Sequence, residues 1–381
     1  MTTAVRIAPA IPAAPAHALV VSDRPPVTSW SLRYFTPWWT ATAAEDETPP
    51  DTRPPTVDAR VDADQTAAVT QLSTADGYTE DTYAGARTLV HRSPGGSVFA
   101  SQPAQRLAYH VSPDGRRAAV FGQETEPVAL AAARLARELV RAQLLREGWV
   151  LLHASAVVRE GRALLTVGAK GAGKSTVALT LARQGWDLLA NDRVFARPDK
   201  SGDVQLLPWP AAAALGFGLL DGLGLYDTVR ALVLSGEQLH PTQHPQVSRA
   251  LSAGDRAPQW NEKRNKELKC QFFPDQLVSW LGCTLTTHAT AAAVLHPCVS
   301  AGPIAPEAEE AAELRASDFF SAATEDRYPD LFRLAAGARP DPASVRERLA
   351  TLPRRSVALG HHAQANADAL ARLADTLLKA G

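Results

Sequence analysis

The chain has 381 residues, 45% of them hydrophobic and 21% charged, with a formal net charge of −1. That length leaves room for two domains, and the composition is that of a globular protein. The near-neutral balance excludes a global basic field for nucleic acid or an anionic membrane surface, and no run of about eighteen apolar residues offers a membrane span.

Residues 1–29 are rich in Ala and Pro and are expected to be poorly ordered. Pro9, Pro12 and Pro15 break their apolar runs, so no secretory signal is read there. "WSLRYFTPWWT" (30–40) carries Trp30, Tyr34, Phe35, Trp38 and Trp39, read as a strand or hairpin on an N-terminal domain, or else as an aromatic binding patch. The acidic, Pro-rich stretch 43–57 fits an exposed loop. Up to residue 125 short β-like runs surround Pro94-Gly95-Gly96 and Pro113-Asp114-Gly115, two hairpin signals. A small antiparallel, β-rich domain over 30–125 is expected.

Pro127 opens a helix that Gly148 stops, with Leu135, Leu139, Ala142 and Leu145 on one face. From Val150 the pattern becomes strand (150–158), turn, strand (162–168), Gly-rich loop, helix closed by Gly185, and strand (186–191). That order describes a nucleotide-binding α/β unit. Further strands are expected at 204–208 and 213–219, a loop and then a helix over 222–234, and two helical stretches in 341–380. Cys270, Cys283 and Cys298 are odd in number and lack CxxC spacing, which speaks against a disulfide framework or zinc site and for a reduced, cytoplasmic compartment.

Gly168-Ala169-Lys170-Gly171-Ala172-Gly173-Lys174-Ser175 fits the G-x-x-x-x-G-K-[ST] pattern without gaps. The glycines let backbone N–H groups approach phosphate oxygens, and the helix that follows aims its unpaired donors at the same anion. Lys174 is expected to reach the β- and γ-phosphates, Ser175 to ligate Mg²⁺, and Thr176 to add a phosphate contact.

The text from Leu152, "LHASAVVREGRALLTVGAKGAGKSTVALTLARQGWDLLANDRVF", resembles the C-terminal catalytic domain of HPr kinase/phosphorylase. The matches are His153, the loop 168–175, Gln184-Gly185 and Ala190-Asn191-Asp192-Arg193-Val194. The likeness is close over about 45 residues, extends loosely to about residue 300, and leaves out the N-terminal 125. It implies a phosphoenolpyruvate-carboxykinase-like mixed sheet with the P-loop at its edge, here over 126–305, followed by a helical C-terminal region (306–381). It also implies a cytoplasmic, ATP- and Mg²⁺-dependent kinase acting on a hydroxyl of a small molecule or peptide, as in HPr-kinase-like proteins of specialised metabolism, with oligomer formation possible in principle.

The family's acidic pair reads Asn191-Asp192 here. Asn191 cannot accept a proton near neutral pH. The resemblance leaves Asp192 to hold metal or take the proton, and places His153 beside it as a second base. A scaffold or regulatory nucleotide binder, or an ATPase acting on a partner, stays open as the alternative. "NEKRNKELKCQFFP" (261–274) gathers lysines in a chain where they are scarce. Lys263 and Lys266 are the candidates for a phosphate clamp, against a solvated face. His240 and His244 are flanked by prolines, which disfavours a helical metal site.

Overall fold

The computed structural model describes residues 2–9, 16–44, 54–261, 266–299, 308–309, 313–319, 329–338, 340–360 and 362–380. The chain divides into two units: Met1–Val150 with Phe320–Asp341, and Leu151–Phe319 with Pro342–Gly381.

The first unit is built on a nine-stranded sheet. Its strands are β1 (Thr3–Pro9), β2 (Ala18–Ser22), β3 (Trp39–Ala44), β4 (Thr56–Val61), β5 (Thr79–Tyr83), β6 (Ala86–Arg92), β7 (Val98–Gln102), β8 (Leu107–Val111) and β9 (Arg117–Gly122). Their order is β3-β1-β2-β4-β9-β8-β7-β6-β5. The two expected hairpins form, β6–β7 turning at Gly96 and β8–β9 at Gly115, both with positive φ. The sheet as a whole is mixed rather than antiparallel, because β4 runs parallel to both β2 and β9.

Two expectations are corrected here. Residues 3–9 and 18–22, expected to be poorly ordered, are strands whose Val5, Ile7, Leu19 and Val20 are buried. The aromatic segment begins in a helix, α1 (Pro25–Phe35), not a hairpin. Pro25 and Pro26 fix helical φ in its first turn, and Val27, Ser31, Tyr34 and Phe35 recur at helical spacing on the buried side. Phe35 then stacks on Trp39 of β3 at 5.5 Å. The stretch read as a loop at 43–57 ends in β3 and β4, and its middle, 45–53, lies outside the described residues.

Helix α2 (Ala63–Ser73) covers β6–β9, and α3 (Thr125–Arg146) covers β2, β4 and β9. Val128, Ala132, Leu135 and Leu139 line the buried face of α3. Each large apolar side chain so buried is worth about 1.5–3 kcal/mol. This helix, expected to open the catalytic domain, belongs to the first unit. So does Phe332, whose ring meets Tyr83 and Tyr109 at 5.1 and 5.5 Å.

The second unit is a mixed sheet flanked by helices. In chain order its elements are β10 (Val150–Leu152), β11 (Ala154–Arg159), β12 (Arg162–Val167), α4 (Lys174–Ala182), β13 (Asp187–Ala190), β14 (Val194–Pro198), β15 (Val204–Pro208), β16 (Ala213–Leu215), α5 (Phe217–Gly222), α6 (Tyr226–Leu234), α7 (Pro245–Ala253), β17 (Gln259–Asn261), β18 (Lys266–Leu268), β19 (Cys270–Phe272), α8 (Pro274–Ser279), β20 (Thr284–Leu285), β21 (Ala289–Val299), β22 (Ala308–Glu309), α9 (Pro342–Ala350), β23 (Arg354–Leu359) and α10 (Ala363–Ala380). The main path is β10-β14-β15-β21-β12-β11-β13-β20, with β23 pairing both β21 and β22.

β11 and β12 form a hairpin through Glu160-Gly161, both at positive φ as a tight two-residue turn requires. β12 then lies between β11 and β21, so the Gly-rich loop leaves the interior of the sheet, not its edge as expected. Its Ala163, Leu164 and Leu165 are fully buried, the run of a strand covered on both faces. The expected strand 213–219 is shorter, since Phe217 starts α5.

The C-terminal segment is not a separate helical region. β23 adds to the sheet in parallel with β21, α9 covers β14, β15 and β21, and α10 lies on α4 and β21. Arg159 ties β11 to α10 through Asp375 at 2.6 Å.

Candidate functional site

The strand expected over 150–158 breaks at His153. Its N–H donates to the carbonyl of Asp318 at 2.7 Å, and Leu152 bridges Phe319. That bond turns the chain from β10 into β11 and leaves the imidazole half-buried beside the connection from β13 to β14.

That connection is Asn191-Asp192-Arg193. Asn191 and Arg193 are turned inward, while the side chain of Asp192 is 53% exposed. His153 Nε2 lies 3.3 Å from Asp192 Oδ1, and Arg193 Nε lies 3.4 Å from Oδ2. The Arg193 guanidinium also sits 5.7 Å from the ring centre of Trp209. Partial desolvation pushes the Asp192 carboxyl up. The hydrogen bond from His153 and the charges of Arg193, His153 and Lys174 outweigh it and hold the pKa at about 2. Asn191 is a neutral amide at a position where a carboxylate would be desolvated.

Between β12 and α4 the loop turns on Gly168, Gly171 and Gly173, all at positive φ. A Cβ on Gly173 would lie 3.0 Å from Val299 and 3.1 Å from Leu359, so this glycine is fixed by space as well as by conformation. Lys174 opens α4 and is buried, with Nζ donating to the carbonyls of Gly168 at 2.8 Å and Ala169 at 3.2 Å. Ser155 of β11 donates to the Lys174 carbonyl at 2.9 Å. Burial lowers the Lys174 pKa, the carboxylates of Asp192 and Asp318 work against that, and the Lys269 charge adds to it. Lys170 is exposed, Ala169 likewise, and Ala172, Ser175 and Thr176 are half-buried at the mouth of the loop.

Of the residues expected from sequence, His153, Asp192, Lys174 and the loop are thus brought together around one end of β12. Lys266 lies in β18 opposite Asn261, and Lys263 lies outside the described residues. The lysine whose charge reaches Lys174 is Lys269, which also lies 3.6 Å from Glu267. His240 is a core residue bonded to Thr242 at 2.8 Å, and His244 caps α7. Arg256 bridges Asp221 and Asp227.

Two further residues bear on the site without any signal in the sequence. Asp318 is buried, its Oδ2 accepting from the Arg315 N–H at 2.7 Å. His296 stands on β21 one position past the Thr166–Leu295 pairing with β12. Burial lowers its pKa; Asp318 opposes that and Arg354 and Arg315 add to it. Neither Asp318 nor His296 sits in a recognisable motif, and each reaches the site through the fold of the sheet, whereas Lys269 belongs to the lysine-rich segment 261–274.

No family model matches the chain, and no curated protein matches it. Among solved structures, the HPr(Ser) kinase/phosphatase from Coxiella burnetii aligns at 11% identity, over 42% of this chain and 69% of that one, with a TM-score of 0.22. A score that low leaves the geometry around His153, Lys174 and Asp192 as the ground for function.

Proposed function

We propose that the second unit is an ATP-dependent phosphotransferase that moves the γ-phosphoryl group to a hydroxyl of a small molecule or peptide. The observation that carries this reading is the opening of α4. Three positive-φ glycines and a buried lysine stand at a helix N-terminus, beside a His–Asp pair.

The backbone N–H groups of the loop and the first turn of α4 form the phosphate cradle. Lys174 exchanges its two loop carbonyls for phosphate oxygens. Mg²⁺, when bound with the triphosphate, neutralises charge on its oxygens. Ser175 and Asp192 are the side-chain oxygens that would hold it. No group of three or more His, Cys, Asp or Glu among the described residues could hold a metal. That sparse donor set suits an ion that keeps waters and takes most ligands from phosphates.

Asp192, charged throughout the neutral range, is a weak base with a pKa of about 2. Its work is to accept a hydrogen bond, orient His153 and stabilise positive charge on it. His153 is the group that takes the proton of the attacking hydroxyl. Phosphoryl transfer has a loose transition state, so alignment and charge carry most of the acceleration and the loss of an acid at Asn191 is tolerable.

A second reading, a nucleotide binder without transfer, is favoured by Asn191 alone. Incubating the protein with γ-labelled ATP, Mg²⁺ and an extract of its host, beside Asp192→Ala, separates the two. Label in one compound or peptide, lost in the variant, supports the kinase. Binding without transfer or phosphate release supports the binder.

A further inference from the structure

Ser155 is a polar residue where a small apolar one would pack as well. It lies on β11 against α4, fully buried, opposite Thr166 of β12. Its hydroxyl donates to the Lys174 carbonyl at 2.9 Å. A buried hydroxyl is costly without a partner, and this bond supplies one. The carbonyl does not need it. Lys174 is the first residue of α4, and a carbonyl there accepts the N–H four residues on. Alanine at 155 would leave neither side with an unpaired polar group, so burial alone does not call for a hydroxyl at this place.

What the bond does is join the two stretches of main chain that carry the site. Two residues before Ser155, His153 is held by its N–H on the Asp318 carbonyl at 2.7 Å, and its imidazole meets Asp192 at 3.3 Å. At the other end, Lys174 Nζ donates to the carbonyls of Gly168 at 2.8 Å and Ala169 at 3.2 Å. The ammonium must leave those carbonyls to meet phosphate oxygens. If its main chain moved with it, the spacing between the phosphoryl group and His153 would change.

From this arrangement we infer that Ser155 is a positioning residue that pins the main chain of Lys174 to β11. The ammonium then pivots on a fixed backbone, and the phosphoryl group it holds stays at a set distance from His153. This role rests on the phosphotransferase reading of the site. It belongs to a residue outside both the loop motif and the His–Asp pair.

A double-variant cycle on transfer tests it. Label moving from γ-labelled ATP to the acceptor in a host extract is timed at saturating ATP for wild type, Ser155→Ala, His153→Ala and the double variant. In the wild-type background Ser155→Ala is expected to slow transfer about 10- to 100-fold, since small misplacements are costly in rate. In the His153→Ala background it is expected to change the rate less than about twofold, because the group it places is gone. Affinity for a fluorescent ATP analogue should stay within about threefold of wild type, since the loop itself is intact.

Equal slowing in both backgrounds overturns the inference and makes Ser155 a packing residue. Unchanged transfer in the single variant overturns it too. So does a loss of analogue binding of about tenfold or more, which would mean that the hydroxyl builds the loop and not the spacing. Ser155→Cys, close in volume and a weak donor, carries the same cycle if Ser155→Ala does not fold. Failure of both to fold makes the hydroxyl a requirement of the fold and overturns the inference. A wild-type protein that transfers no label sinks the phosphotransferase reading and the role of Ser155 with it. Transfer by the wild type with additive variants sinks the role of Ser155 alone.

Discussion

His153 Nε2 and Asp192 Oδ1 stand 3.3 Å apart at the end of β12, the imidazole half-buried and the carboxylate open on one side. The His153 N–H is bonded to the Asp318 carbonyl, and Arg193 lies against the other oxygen of the Asp192 carboxylate. A proton acceptor held this way works by geometry. His153→Ala is expected to lower kcat about 10²–10⁴-fold with the KM for ATP within a fewfold of wild type. Steady-state kinetics with the labelled acceptor check this. A loss confined to KM would place His153 in binding instead.

The loop predicts a different pattern. Gly173→Ala puts a side chain at φ +108° against Val299 and Leu359. The expected destabilisation of the second unit is about 1–3 kcal/mol, read in urea unfolding, together with loss of nucleotide binding. Lys174→Ala should abolish transfer and weaken ATP binding strongly while the fold persists. If the true acceptor were still phosphorylated at the wild-type rate, the mechanism would be wrong.

These two predictions rest on the part of the protein that was legible in sequence. The loop, Lys174 and the Asn191-Asp192-Arg193 turn are local: each pattern fits within a few residues, and its chemistry constrains its neighbours. The hairpins at Gly96 and Gly115 were legible for the same reason. Asp318 and His296 were not, because their places depend on pairing across a sheet whose neighbours are remote in sequence. The interior position of β12 depends likewise on β21, and the role of β23 on a strand hidden between two helices. The aromatic content of 30–40 suggests a strand, yet the Pro25-Pro26 start and the helical spacing behind it make helix α1.

Acid titration offers a third test. The carboxyl of Asp192 is held at about 2, below its usual range near 4. A depressed folded-state value means that the charged form is favoured by folding. Its stabilising contribution is complete above about pH 4 and is lost as pH falls through about 2. A fully buried group with this shift would contribute roughly 2 kcal/mol; with half of the side chain open to water, about 1 kcal/mol or less is expected. Asp192→Asn should flatten the acid limb of a stability–pH curve between about pH 4 and 2 and leave the neutral region little changed. An unchanged acid limb would show that the His153 and Arg193 contacts do not persist in solution.

The last prediction concerns α10. Leu370, Ala374 and Leu377 are buried at helical spacing, and Asp375 reaches Arg159 of β11. The helix also lies on α4, whose first residue is Lys174. A change on its buried face should therefore be felt at the loop. Leu370→Ala is expected to cost about 2–5 kcal/mol in the second unit. Exchange should rise across 174–182 and across 154–167 together, because α4 and β11 rest on the same support. Hydrogen exchange by mass spectrometry on the full chain reads both segments at once. A response confined to α10 would mean that the helix is an appendage, and would return the C-terminal segment to the separate helical region that the sequence alone suggested.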